Sequence, residues 1–353
     1  MIAAGTRHPA PGTRPPDTVY DRRVPRADVQ RIAPSAVLPG GRIVLSGSGF
    51  DVRPGVLPQV SVGGVAAHVV RGSSRQLVID VPADTPGGRQ PLAVEGLDGT
   101  TVFVDVGVLL TSGVHQVDSP VYDAQGRLYA TLSGQRGQQT PVSVFRVARD
   151  GTREPFVSGL GNATSLAVGP DGHVYVSSRF EGTVSRISDS GEAERFAENL
   201  GVAFGMAFDR EGRLYVGDRS GTIHRVDTDG RATAFATVPS SVAAFHLAMA
   251  PDGTLIVAAP TLNSSDGLYR ISPTGDTTRW AEGFGRPQGL AFDAHGALHV
   301  VDALAGDSGV YRVGEDGART LVVSGPGLLG VTFDPTDGTL TACTDDAIYR
   351  MPQ

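Results

Sequence analysis

Cysteine is almost missing from this sequence: Cys343 is the one example in 353 residues. A lone thiol excludes an internal disulfide framework and a cysteine-rich zinc site. Long apolar runs are missing too. Nothing approaches the roughly 18 to 20 consecutive apolar residues that span a bilayer as a helix, so no membrane partner is expected. Positive charge is not in excess. The net charge of −7 argues against a nucleic-acid partner, whose phosphates need a basic stripe. The chain starts Met1-Ile2-Ala3-Ala4-Gly5 and turns polar and Pro-rich at once, without the apolar core of a secretory signal. A cytoplasmic location is expected, or a secreted one if a leader has been removed. Coiled-coil patterns and charged tails are absent as well.

What the chain does have is 47 Gly and 24 Pro, which suit many short strands joined by turns. A hydrophobic-x-Arg-hydrophobic strand recurs six times, from Val144-Phe145-Arg146-Val147 to Ile348-Tyr349-Arg350-Met351. Its arginines, Arg146, Arg186, Arg225, Arg270, Arg312 and Arg350, are 40, 39, 45, 42 and 38 residues apart. A period of roughly 40 with strand-type alternation predicts a β-propeller, one blade per repeat. The expected fold class is all-β: a six-bladed β-propeller preceded by a small immunoglobulin-like β-sandwich.

Residues 1–29, rich in Pro, Arg and Thr and without periodicity, are expected to be a flexible leader. Residues 30–106 contain about five short strands and Gly-dipeptide turns at Gly40-Gly41 and Gly63-Gly64, a sandwich pattern. Residues 107–353 form the propeller. Its sixth repeat stops after three strands. The missing outer strand is expected from Val108–Gly113, whose sequence parallels Leu321–Gly325. Closing the ring this way removes an exposed sheet edge and puts the small domain beside blade six.

In a four-stranded blade, the loop leading into the inner strand and the loop between strands two and three share one face. Three of the latter loops carry arginine: Arg136, Arg179 and Arg219, on consecutive blades. Three converging guanidiniums suit a carboxylate or phosphate, because the planar fork binds such oxygens bidentately. Alternatively each braces its own loop against an acid such as Glu181 or Asp218. Asp118, Asp266 and Gln288 also fall on this face, and a mixture of such oxygens suits a hard divalent cation such as Ca²⁺. There is no dense D-x-D-x-D-G run. His246 is the histidine at an inner-strand start. It is a candidate general base, since its pKa lies near 6.5 and is easily tuned, or a backbone-bonded residue of the channel. The six strand-three arginines recur in every blade and read as framework, pairing with turn acids or solvent.

Two resemblances follow from short motifs. Pro39-Gly40-Gly41 through Gly47, Gly49 and Phe50, with Val60-Ser61-Val62-Gly63-Gly64 and Ala67, resembles the IPT/TIG immunoglobulin-like family over roughly residues 30 to 106. That implies a spacer or protein-docking module. Asp118-Ser119-Pro120-Val121-Tyr122 and Pro287-Gln288-Gly289-Leu290 resemble the blade motifs of the senescence-marker/gluconolactonase propellers and, more loosely, NHL repeats. That resemblance implies a lactone hydrolase whose divalent ion is held by Glu, Asn and Asp at inner-strand starts. Carried over by position, those ligands become Asp118, Phe245 and Gln288, so the implied metal set is not intact. The expected function is a gluconolactonase-like hydrolase of a small anionic lactone or ester. Asp118 and His246 would be its catalytic pair, Asp118 its metal ligand. Arg136, Arg179, Arg219, Glu181, Asp218, Asp266 and Gln288 would bind substrate. The alternative is a non-catalytic propeller that binds an anionic ligand or a protein partner.

Overall fold

In the computed structural model, which describes residues 26–97, 101–114, 119–243, 245–303 and 307–353, every regular element among the described residues is a strand. From Val121 onward the strands fall into consecutive four-stranded antiparallel meanders, the all-β propeller architecture. Unit 1 spans residues 121–157, unit 2 163–197, unit 3 203–237, unit 4 246–284 and unit 5 287–324. Unit 6 supplies three strands of its own, Leu328–Phe333, Leu340–Thr344 and Ala347–Arg350, and its fourth is Val108–Ser112. Ala347 pairs with Ser112 and Arg350 with Val108. Five units are separate four-stranded sheets, whereas unit 5 is the end of a twelve-stranded sheet.

Neighbouring units are held together by apolar side chains trapped between their faces. Phe204, Ile223, Phe245, Val257 and Ile271 form one such layer between units 3 and 4. Each side chain removed from water in this way contributes about 1.5–3 kcal/mol. Backbone bonds also cross between units, as where the N–H of Gly205 donates to the carbonyl of Phe245 at 2.9 Å.

The N-terminal strands build a second core. Val65–Ser73 pairs with Val60–Val62 at one end and with Gln76–Asp80 at the other. The sheet therefore folds over Ile43, Leu45, Val62, Leu77, Ile79 and Leu92. Gly63 and Gly64, at φ +60 and +82, form the tight turn between Val60–Val62 and Val65–Ser73, a backbone that side chains disfavour. The first strand, Asp28–Ala33, starts two residues inside the stretch expected to be leader, because it pairs with Arg42–Ser48.

The join to the propeller differs from the expected one. Ala36–Val37 lies parallel to Val323–Ser324 of unit 5 and to Asp105–Val106. The hydrogen-bonded neighbour of the N-terminal strands is thus unit 5 rather than unit 6, although Leu38 packs with Met351 across the seam. The short strand covers the outer edge of unit 5, which would otherwise present unpaired backbone groups.

Candidate functional site

The first strands of all the units surround a cavity of about 290 Å³ on the propeller axis. Ser119, Ser165, Gly205, His246, Leu290 and Val331 line it, one from each unit in turn. Gly205 leaves no room for a side chain: an added Cβ would lie 2.4 Å from the Phe245 carbonyl oxygen. His246, the first residue of His246–Met249, is buried, as is Ser165. The Ser165 hydroxyl has no hydrogen-bond partner among the described residues. A buried hydroxyl against a polar cavity favours an ordered guest, since leaving it unpaired costs about 1–3 kcal/mol.

Around the mouth, the acids turn inward. The Asp218 carboxylate accepts the N–H of Val202 at 2.8 Å and the hydroxyl of Ser220. Asp266 accepts the backbone N–H of Thr261 at 2.9 Å and its hydroxyl at 2.7 Å. Asp302 does the same for Gly285 at 3.0 Å and Arg286 at 2.7 Å. Glu181 faces Arg195, whose Nη2 lies 3.8 Å away, and takes the Thr183 hydroxyl at 3.4 Å. These carboxylates hold loops in shape. Behind the mouth, burial lowers the pKa of His224, and Asp218 acts in the opposite direction.

The arginines part ways. Arg179 reaches back to Ser133 of unit 1, its Nη2 donating at 3.5 Å. Arg219 reaches forward to the loop before unit 4, donating to the carbonyls of Ser241 at 3.2 Å and Val242 at 3.0 Å. Arg136 is exposed on its loop. Arg179 and Arg219 thus reach to different neighbouring loops, with Arg219 tied to backbone. Gln288 is buried in the strand Pro287–Phe292. Asp118 lies outside the described residues.

The metal positions implied by resemblance do not fit a cation. Phe245 is fully buried in the apolar layer between units 3 and 4, and phenyl carbon cannot ligate. Among the described residues no three His, Cys, Asp or Glu side chains cluster closely enough to hold an ion.

Sequence reasoning about charge passed over four apolar side chains of the same loops. Phe180, Val202, Val242 and Leu262 are 53, 39, 37 and 89% exposed, on units 2, 3 and 4. Their signal was an apolar residue beside Arg179, Gly201, Ser241 and Thr261, in loops otherwise polar.

No protein-family profile matches the sequence, and no curated protein matches it. Solved structures do. The chain is similar to an auxiliary nutrient binding protein from Bacteroides thetaiotaomicron, at 13% identity and TM-score 0.55, covering 92% of this chain and 97% of that one. It is similar to a gluconolactonase from Xanthomonas campestris, at 17% identity and TM-score 0.59, over 70% of this chain and 88% of that one. A catalytically inactive virginiamycin B lyase from Staphylococcus aureus with quinupristin gives 15% identity and TM-score 0.51, over 69% and 97%. At these identities the likeness is one of fold.

Proposed function

We propose that the chain is a six-bladed propeller with an IPT/TIG-like N-terminal unit, and that it binds a small organic anion with an apolar face at the mouth of the axial cavity. Units 1 to 6 are the blades, with unit 5 counted as a blade although its sheet continues into the N-terminal strands. The observation that carries the reading is the division of labour in the mouth loops. Asp218, Asp266 and Asp302 are buried and bonded to backbone N–H groups, while Arg136, Phe180 and Leu262 stay in water. Around Arg136, Phe180 and Leu262 the surface offered to a ligand is cationic and apolar together, with Glu181, Asp345 and Asp346 exposed elsewhere on the same rim. A carboxylate or phosphate would take the arginine, and an apolar body would cover Phe180 and Leu262. The nutrient-binding relative in fold supports this reading because it extends over both parts of the chain, whereas the enzymes extend over about the propeller alone.

The second reading is a hydrolase or lyase, in which His246 works with Asp118 on a lactone or ester in the same cavity. The buried imidazole at the axis, on the same cavity wall as the Ser165 hydroxyl, favours it. No metal enters either reading. One experiment separates them. Calorimetric titration with sugar acids, aromatic carboxylates and phosphate monoesters is paired with a lactone and ester turnover screen. Binding weakened about ten-fold in Arg136→Ala and Phe180→Ala, with no turnover, is the expected result, about 1.4 kcal/mol being one decade. Turnover lost in His246→Ala would replace the binding reading with the enzymatic one.

A further inference from the structure

The geometry points to a second ligand site, on the opposite face of the propeller between units 4 and 5, for a sugar acid: one carboxylate beside several hydroxyls. It goes beyond the mouth reading and shares no residue with it.

The site exists because a repeated device fails there. In units 1, 2 and 3 the strand-three arginine stands across from a tyrosine: Arg146 from Tyr129, Arg186 from Tyr175, Arg225 from Tyr215. Each tyrosine ring packs on an outer-strand phenylalanine at 5.1 Å between centroids. Each hydroxyl donates to a turn aspartate, at 3.0, 3.0 and 3.3 Å for Asp123, Asp171 and Asp209. In unit 2 the gap is filled and its polar ends are paired, while in unit 1 Arg146 lies over the Phe156 ring beside a smaller cavity of about 260 Å³.

Unit 4 keeps the arginine and the aspartate but has Ile256 across from Arg270. The aliphatic side chain provides neither ring nor hydroxyl. A groove of about 940 Å³ opens there, running from Asp252 and Ile256 to the turn of unit 5. The outer-strand aromatic has become Trp280, and Arg270 lies over it with Cζ 3.6 Å from the ring centroid. The contact holds the guanidinium against the ring while Arg270 still lines the groove. Unit 5 adds Arg312, exposed on its strand. His295 occupies the turn position where unit 2 has Asp171 and unit 6 has Asp337, and the turn acid that unit 5 keeps, Asp293, accepts the N–H groups of His295 and Ala297 and lies 3.9 Å from His299. Among the described residues neither Arg270 nor Arg312 forms an ion pair, while Arg186 and Arg350 do.

Two guanidiniums line the groove, Arg270 within electrostatic reach of Asp252 and Arg312 outside any ion pair among the described residues, and Arg312 would take an oxyanion. Asp252 and the exposed Glu315 line the same groove. They would repel a polyanion such as an acidic peptide, and they accept hydrogen bonds from hydroxyl groups. Ile256 and Phe292 supply apolar wall for the C–H faces of a pyranose ring.

Trp280 is the one tryptophan of the chain, so intrinsic emission reports this groove. The experiment titrates the full-length protein with sodium glucuronate while following that emission, with ligand-observed NMR on the same samples. Saturable binding is expected, weakened at least about ten-fold in Arg312→Ala, each charge-assisted bond being worth about 1.5–3 kcal/mol. Ile256→Tyr restores the pattern of unit 2 and should abolish binding while the protein stays folded by urea denaturation. Arg136→Ala at the mouth should leave it unchanged. Glucose, inorganic phosphate and acetate, each carrying half of the recognised chemistry, should bind at least about ten-fold more weakly, a loss of one decade. The proposal is overturned if glucuronate does not bind, if a folded Ile256→Tyr binds as wild type, or if phosphate or acetate binds as well as glucuronate. Loss of binding in Arg136→Ala with none in Arg312→Ala would move glucuronate to the mouth, and that too overturns it.

Discussion

Units 2 and 4 share a template and differ at the strand-two residue across from the arginine, Tyr175 in one and Ile256 in the other. Unit 2 has Asp171, Tyr175 and Arg186 bonded to one another, with Arg186 Nε 2.8 Å from Asp171 and the Tyr175 hydroxyl 3.0 Å from it. Tyr175 also packs edge-on against Phe196 and Phe208. Unit 4 has Asp252, Ile256 and Arg270 at those places, and the arginine turns to Trp280 instead. The same scaffold is a closed joint in one unit and an open groove in the other. The lesson is that in a repeat protein the framework residues mark function where they lose their partners. Six arginines in one register are scaffold only while each has something to hold.

The sharpest way to break the comparison is to move the difference. Tyr175→Ile should copy the open state into unit 2. It removes two ring contacts and a buried hydrogen bond, with an expected cost of about 2–4 kcal/mol. Urea denaturation measures it, and a loss under about 1 kcal/mol would mean the tyrosine is not the keystone. The hydroxyl's proton alone can be removed by base. Burial, the hydrogen bond to Asp171 and the Asp171 charge push Tyr175 up to about 12, from 10.0. The sign follows from the neutral form being the one the fold favours. The contribution is complete below the unfolded pKa of 10.0 and is lost as pH rises through about 12. Burial raises Tyr311 to about 12 as well. Burial also raises Tyr122, Tyr129, Tyr215, Tyr269 and Tyr349, so absorbance titration should find Tyr175 and Tyr311 among the late tyrosines, and Tyr175→Ile should remove one late step.

A smaller effect is expected from the arginines. Arg186→Ala breaks a partly exposed pair with Asp171 and should cost about 1 kcal/mol, whereas Arg270→Ala should cost about half as much, its stack on Trp280 being largely in water. Equal losses would erase the contrast between the units. The smallest is a gain. Ile256→Tyr fills the groove and offers Asp252 a donor, for about 0.5–1 kcal/mol of added stability. A destabilised variant would show that unit 4 diverges from unit 2 in more than one residue.

Much of the architecture was legible in the sequence because it is periodic. The strand-three arginines fix the register of every unit. A repeat that stops one strand short announces that its fourth strand comes from elsewhere, and Val108–Ser112 is that strand. The site was far less legible. Arg219 and Asp218 sit in the right loop, yet the first bonds carbonyls of Ser241 and Val242 and the second bonds Val202 N–H. Which way a side chain turns depends on neighbours in other repeats, and sequence position is silent about that. The framework reading of the arginines, paired with turn acids or solvent, fits Arg186 and Arg350, which pair with turn acids, and Arg312, which faces solvent; the stack of Arg270 on Trp280 was not part of it. The clue was present as Leu255-Ile256-Val257 where the earlier repeats have Leu-Tyr-Ala, Val-Tyr-Val and Leu-Tyr-Val. A break in a repeated aromatic is informative only once its partner is known.

The seam has a consequence for how the molecule comes into being. Val108–Ser112 leaves the ribosome before any of the units it will join, and Ala347–Arg350 follows all the other units. The ring cannot shut until the sixth unit has been made, so until then the nascent chain carries an unpaired strand between a finished N-terminal core and a growing row of sheets. Contacts between such distant parts of a chain form slowly. The N-terminal unit, already folded and able to grip unit 5 through Ala36–Val37, would hold that strand near its eventual place. It would serve the newborn propeller as a built-in clamp, shortening the search that closes the circle.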